Sequence, residues 1–167
     1  MKYERFEDLP VWKAAIELAH KIYIMTKDGF FSQAGDLKSQ IRRAALSISN
    51  NIAEGFERGT TDELIYFLYI ARGSAGETRS MLSFTERFPD AENLKSQISD
   101  LKKMGESCSR QIRTWADSLQ NTDIQGQRHL TERSRFTYEA KKRREAFELK
   151  LKDMTRQARP QDYPEED

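Results

Sequence analysis

The chain has 167 residues, about one domain at the usual ~100–200 residues per domain, with 37% hydrophobic and 33% charged side chains and a mean hydropathy of −0.82. Lys plus Arg number 28 against 27 for Asp plus Glu, so the net charge of +1 gives no whole-chain reason to expect nucleic acid or membrane. No run approaches the ~18 apolar residues of a membrane span, and Met1 to Phe6 lacks the basic-then-apolar layout of a secretory signal, so a cytoplasmic protein with no membrane partner is expected. A single cysteine, Cys108, excludes an internal disulfide and cannot build a Cys/His zinc spacing.

Four amphipathic helical patterns follow in order, which makes the fold class all-α. In the first, Val11, Ala15, Leu18, Ile22 and Met25 form one stripe and Trp12, Ile16, Ala19 and Tyr23 a neighbouring one, with Pro10 as an opening signal. The connection Lys27 to Gly35 reads as a loop whose Phe30-Phe31 pair packs onto the end of the helices. The second pattern starts near Leu37 with Asp36 as N-cap, continues through Ile41, Ala44, Ala45, Ile48 and Ile52, and stops near Gly55 to Gly59. The third opens on Thr60-Thr61-Asp62-Glu63, a capping-box spacing, and carries Leu64, Phe67, Leu68, Ala71, Ala75, Thr78 and Leu82. Phe88-Pro89-Asp90 ends it. The fourth has Leu94, Ile98, Leu101, Gly105, Cys108, Ile112, Trp115 and Leu119 at alternating spacings of four and three, a heptad seam. The simplest packing is an antiparallel up-down four-helix bundle over residues 1–120.

Beyond it, residues 121–130 read as a linker, 131–159 as a basic, amphipathic helical extension and 160–167 as an acidic disordered tail. The first 119 residues hold 17 basic and 17 acidic side chains, whereas Arg128 to Arg159 holds 11 basic and only five acidic ones. Phe136, Ala140, Phe147, Leu151, Met154 and Ala158 lie roughly on one face, interrupted by Arg143.

Little here points to catalysis. Glu17-Leu18-Ala19-His20 is half of a di-iron pattern, but the other histidine, His129, has Gly126 three residues before it. Cys108 sits on a heptad position, which reads as a small core residue. Gly73-Ser74-Ala75-Gly76 lies within a helical pattern, not in a phosphate loop between a strand and a helix. No catalytic residue, cofactor or metal site is therefore assigned, and an enzyme is not expected.

The small and polar clusters suggest packing. Asn51, Glu54 and Gly55 stand beside core-facing Ile52, and Gly73, Ser74 and Glu77 thin the third helix in its middle. Helix-interior glycine costs ~1 kcal/mol relative to alanine, so Gly73 and Gly76 suggest a close backbone approach. The second helix, small along Ala44, Ala45, Ser47 and Ser49, is the expected neighbour, within one chain or between subunits. Basic groups offer two candidate nucleic-acid contacts: Arg42, Arg43 and Arg72 in the body, with Arg58 and Arg79 close in sequence, and Lys141, Lys142, Arg143 and Arg144 in the extension. The alternative for the extension is docking through Phe136, Phe147, Leu151 and Met154, with its charges as a solvated face.

Four ordered stretches carry a family resemblance: Phe6-Glu7-Asp8-Leu9-Pro10-Val11-Trp12-Lys13-Ala14-Ala15, Leu37-Lys38-Ser39-Gln40-Ile41-Arg42-Arg43-Ala44-Ala45, Ser49-Asn50-Asn51-Ile52-Ala53-Glu54-Gly55 and Ile70-Ala71-Arg72-Gly73-Ser74-Ala75-Gly76-Glu77. Over residues 1 to about 120 the chain resembles the bacterial 23S rRNA intervening-sequence proteins. The resemblance implies a small up-down bundle that assembles into a homopentameric barrel. It also implies kinship with the accessory variability protein of diversity-generating retroelements, a basic pentamer that binds a reverse transcriptase and nucleic acid. Two departures stand out: the body is neutral, and the extension beyond about Asn121 has no counterpart in the family pattern.

Overall fold

The computed structural model describes residues 3–120 and the backbone of 132–157, with side chains of the latter described at 140, 143–154. The expected linker 121–130 and acidic tail 160–167 lie outside the described residues, as do the side chains of Phe136, Lys141 and Lys142. The described residues are helical, and no strand occurs among them.

α1 (Pro10–Met25) begins with Pro10 at its first turn, where the missing N–H costs nothing. A 3-10 turn, Phe6–Asp8, precedes it, and Phe6 meets Trp12 edge-on at 5.2 Å. Val11, Ala15, Leu18, Ala19, Ile22 and Met25 are buried, while Trp12 and Ile16 are half-buried and Tyr23 is exposed. Of the neighbouring stripe Ala19 alone is buried, so the buried face of α1 is narrower than a union of the two stripes.

The connection that the sequence presents as a loop contains a short helix, α2 (Phe30–Gln33). Asp28 Oδ1 accepts the Phe30 N–H at 3.0 Å, and Gly35 turns the chain out with φ +55°. Phe31 is 1% exposed and belongs to the main core, so the expected packing of this segment holds.

α3 (Leu37–Glu57) departs from expectation at its start. Asp36 has helical torsions (φ −75°, ψ −11°) and makes no side-chain cap. The turn at Gly35 delivers the chain already wound, and Asp36 contributes its carbonyl, which accepts from Ser39 Oγ at 2.9 Å and the Gln40 N–H at 3.0 Å. Gly59, with φ +84°, separates α3 from α4 (Thr61–Thr85). The capping box there forms with one change. Thr60 Oγ1 accepts the Glu63 N–H at 3.3 Å but donates its own proton to Glu63 Oε2 at 2.6 Å, so the carboxylate is held by the hydroxyl and not by the Thr60 N–H.

A 3-10 segment, Pro89–Leu94, leads into α5 (Lys95–Gln120), which buries Ile98, Leu101, Gly105, Cys108, Ile112 and Ala116. At its far end Ala116 is buried and Trp115 and Leu119 are only half-buried. A straight helix drifts ~20° per heptad against a 3.5-residue repeat, and three heptads bring the neighbouring residue into the core.

α1 packs on α3, α3 on α4, α4 on α5 and α5 back on α1, which closes four long helices around one core. Glu86, just past α4, binds Lys102 near the start of α5 at 2.8 Å, and Tyr69 near the start of α4 accepts from Gln120 at 3.3 Å. The second compact unit contains α6 (Glu132–Gln157), the expected fifth helix.

Candidate nucleic-acid interface

Arg42 is engaged in the fold. From α3 its Nε donates to Thr26 Oγ1 at 2.6 Å and its Nη2 lies 3.4 and 3.5 Å from the Tyr23 and Thr26 carbonyls, while the guanidinium sits 4.6 Å from the centre of the Tyr23 ring. A cation over the last carbonyls of α1 suits the negative end of the helix dipole. Arg43, one residue on, is exposed, and Arg72 is half-buried on α4. Of the three arginines, Arg42 is thus already committed to contacts within the fold.

Several of the remaining body cations are paired locally. Arg58 Nη2 meets Glu54 at 2.7 Å, Arg110 meets Glu106 at 2.8 Å, Arg113 meets Asp117 at 3.5 Å and Lys21 meets Glu17 at 3.5 Å, all at helical spacing. The Arg58 guanidinium is raised in pKa by its bond to Glu54, then by that charge and Glu63. Hydrogen bonding from Lys102, then its charge, lowers the Glu86 carboxyl.

The small-residue cluster sorts into inner and outer parts. Ser74 Oγ donates to Ser47 Oγ at 3.0 Å, and Asn51 Nδ2 donates to the Ser47 hydroxyl oxygen at 2.9 Å and to its carbonyl at 2.7 Å. The Ser47–Ser74 bond ties α3 to α4, whereas both Asn51 bonds stay within α3. Gly55 is the close-approach glycine: a Cβ there would lie 2.7 Å from Phe67 Cβ. Among the described residues Gly73 and Gly76 do not have that role, because none of those residues lies within 4 Å of where their Cβ atoms would be. They fall on the outer side of α4, whose inward positions are Ala71, Ser74, Ala75 and Thr78. Glu54 and Glu77 are exposed too, so neither is a buried clamp.

On α6, Arg143 and Arg144 are exposed, and Arg144 Nε meets Glu148 at 3.0 Å. Phe147, Leu151 and Met154 are 63%, 45% and 68% exposed. Their spacing of four and three residues puts them on one side of the helix.

Sequence reading missed a groove of about 530 Å³ between α4 and α5, lined by Arg79, Lys102 and Lys103 among others. Arg79 stands seven residues after Arg72, a spacing that signals a shared helix face, but its lysine neighbours come from another helix.

Glu17 and His20 are both exposed on α1, and no group of three His, Cys, Asp or Glu side chains suited to a metal occurs among the described residues. Burial pushes the Cys108 thiol up to about 11. The native protein at pH 8 should therefore leave Cys108 unmodified by a disulfide reagent such as Ellman's over minutes, with one thiol per chain released on unfolding. Rapid native labelling would contradict its core placement. No helix among the described residues is long and apolar enough to cross a membrane.

No curated protein matches this sequence. Residues 7–114, more than half of the chain and including all but the first residue of the ordered motifs, match the family model described as 23S rRNA-intervening sequence protein, and the chain belongs to that family.

Proposed function

We propose that the protein is a non-enzymatic, oligomeric accessory that binds nucleic acid, RNA or an RNA/DNA hybrid, in the cytoplasm. The observation that carries this reading is the contrast in charge between the body and the segment from Arg128 to Arg159. The first 119 residues hold equal numbers of basic and acidic side chains, 17 of each, whereas the segment from Arg128 to Arg159 has a net charge of about +6 by residue count and exposes Arg143 and Arg144. The family's description, which names ribosomal RNA, supports the same direction. The cyclic packing of α1, α3, α4 and α5, with the end of α4 bound to the start of α5, supports an antiparallel up-down bundle as the unit that assembles. In a homopentamer five basic extensions act together, so weak single contacts add by multivalency. In the retroelement version of this reading, a reverse transcriptase is the protein partner.

The test is fluorescence anisotropy of a labelled structured RNA titrated with the full chain and with a chain in which Lys141, Lys142, Arg143 and Arg144 are all glutamine. Losing four phosphate contacts should weaken binding by roughly 100-fold or more near 0.1 M salt and flatten the salt slope by about 3. Equal affinity and slope would remove the extension from the interface; no binding by the parent chain would remove the function.

A second reading rests on the exposed Phe147, Leu151 and Met154 of α6: a pentameric scaffold whose extension docks a protein partner. In that case Phe147→Asp disrupts partner capture and Lys141→Glu does not.

A further inference from the structure

The groove between α4 and α5 presents donors and cations in a combination suited to phosphate. Arg79 contributes from α4, and Lys102 and Lys103 contribute from α5. Its one lining carboxylate, Glu106, is already bound from the side by Arg110 Nη1 at 2.8 Å. Lys102 is shared with Glu86, and Lys103 meets Asp100 at 3.4 Å with both side chains more than two-thirds exposed, a pairing that competes weakly with a ligand. Arg79 is different: among the described residues its guanidinium makes no hydrogen bond or ion pair, although the residue is half-buried.

Its burial has a definite cause. Gly105 of α5 lies beneath the Arg79 stem, and a Cβ there would come within 2.9 Å of Arg79 Cγ. The missing side chain gives the stem a bed, so the apolar part of Arg79 is covered while its charged head serves the groove. A stem held in this way loses less freedom when the guanidinium fork takes two oxygens of one phosphate.

The serines point to the same chemistry. Along α4, Thr78 and Thr85 spend their hydroxyl protons on carbonyls of the preceding turn, both at 2.9 Å. Ser80, Ser83 and Ser99, which line the groove, make no such bond among the described residues. Hydroxyls without an internal acceptor, beside cations, are donors left for an anion. Beyond the groove, Arg72 lies two turns before Arg79 on the same face of α4, about 10 Å at 1.5 Å per residue, and at Gly76 between them no described atom lies within 4 Å of a Cβ position. Two cations separated by a gap suit an extended polyanion better than a single ion.

We infer that this groove binds phosphate groups along an extended chain, with Arg79 as its anchor and the serine hydroxyls as secondary donors. The inference rests on the nucleic-acid reading for its source of phosphates, an RNA backbone, and moves part of the interface from the extension onto the body.

The experiment uses the full chain and three variants. Arg79→Gln removes the charge and keeps most of the stem, Ser80→Glu adds an acid at an exposed rim position without deleting a contact, and Lys13→Gln is a control on α1. Anisotropy with a labelled single-stranded RNA at several salt concentrations should show Arg79→Gln and Ser80→Glu weakened on the order of tenfold, the former with a salt slope smaller by about 0.7, and Lys13→Gln within twofold of the parent. Circular dichroism checks that each variant is folded, and Ser80→Glu keeps the test valid if Arg79→Gln is not. Parent affinity and slope in both groove variants would overturn the groove while leaving binding through the extension standing. If the parent binds no RNA, the functional reading fails, and millimolar tripolyphosphate then decides the groove. A rise in Tm for the parent that is lost in Arg79→Gln would assign the groove to a free polyphosphate, and an equal rise in both, or none, would overturn it.

Discussion

Gly55→Val is expected to destabilise the protein by about 2–3 kcal/mol and Gly55→Ala by about 1–2 kcal/mol, the range typical of overpacked cores, even though both replace a poor helix former. The reason lies in what the new atom meets. A Cβ at Gly55 would stand 2.7 Å from Phe67 Cβ and 3.4 Å from Leu64 Cα, atoms fixed to the α4 backbone that cannot swing aside. α3 and α4 would have to separate, loosening the Ser47–Ser74 bond at 3.0 Å. Gly105→Ala meets Arg79 Cγ at 2.9 Å, a side-chain atom and not backbone, so the gain in helix propensity of ~1 kcal/mol should roughly cancel the cost of displacing the stem. Gly73→Ala meets nothing within 4 Å and should stabilise by about 0.5–1 kcal/mol. Urea unfolding of the series at one fixed protein concentration reads all three. A stabilising Gly55→Ala would refute the close approach. A destabilising, concentration-dependent Gly73→Ala would locate a neighbouring subunit's backbone against α4, the place where the sequence suggests subunit packing.

That series also marks where sequence reading reaches its limit. The four long helices were legible because their apolar spacing depends only on helix geometry, and Pro10 and Thr60 are local signals with local effects. The motif stretches lay within or one residue outside the family match over 7–114, so membership was legible too. Which glycine meets a backbone was not legible. Gly55, Gly73 and Gly76 all interrupt helical patterns, but only the rotation of each helix in the packed bundle decides that Gly55 faces Phe67 while Gly73 and Gly76 face outward. Arg42 shows the same limit, since its neighbours in sequence suggest a cationic patch and its neighbours in space are the Thr26 hydroxyl and the Tyr23 ring. The α4–α5 groove needed Arg79 and Lys102 to be brought together by packing, and pairing across 23 positions leaves no periodic trace. Asp36 failed as a cap because α2 and Gly35, both hard to read in nine residues of connection, set its torsions.

Phe31→Ala is expected to have the largest effect of any single truncation considered, about 3–5 kcal/mol, a large share of the roughly 5–15 kcal/mol that holds a domain folded. Phe31 is 1% exposed, and its ring packs edge-on against Phe30 at 5.1 Å; Phe30 continues to Phe88 at 5.4 Å, and Phe88 to Phe84 at 5.0 Å. The aromatic series closes the end of the bundle where the connection crosses it. A four-residue helix has no stability of its own, because nucleation outweighs so few backbone bonds. α2 therefore depends on the burial of Phe31 and on the Asp28 side chain, which accepts the Phe30 N–H and also accepts from Asn93 Nδ2 at 3.1 Å. Removing the ring leaves a cavity and also releases the segment that sets the start of α3. The two consequences separate in a urea titration. A lower midpoint with unchanged slope reports a cavity alone, whereas a lower slope as well reports that residues 27–35 have already loosened in the native state and bury less surface. Phe30→Ala, which truncates a half-buried ring, should cost less than half as much. If it cost more than Phe31→Ala, the bundle end would be held by the outer rings and not by the anchor beneath them.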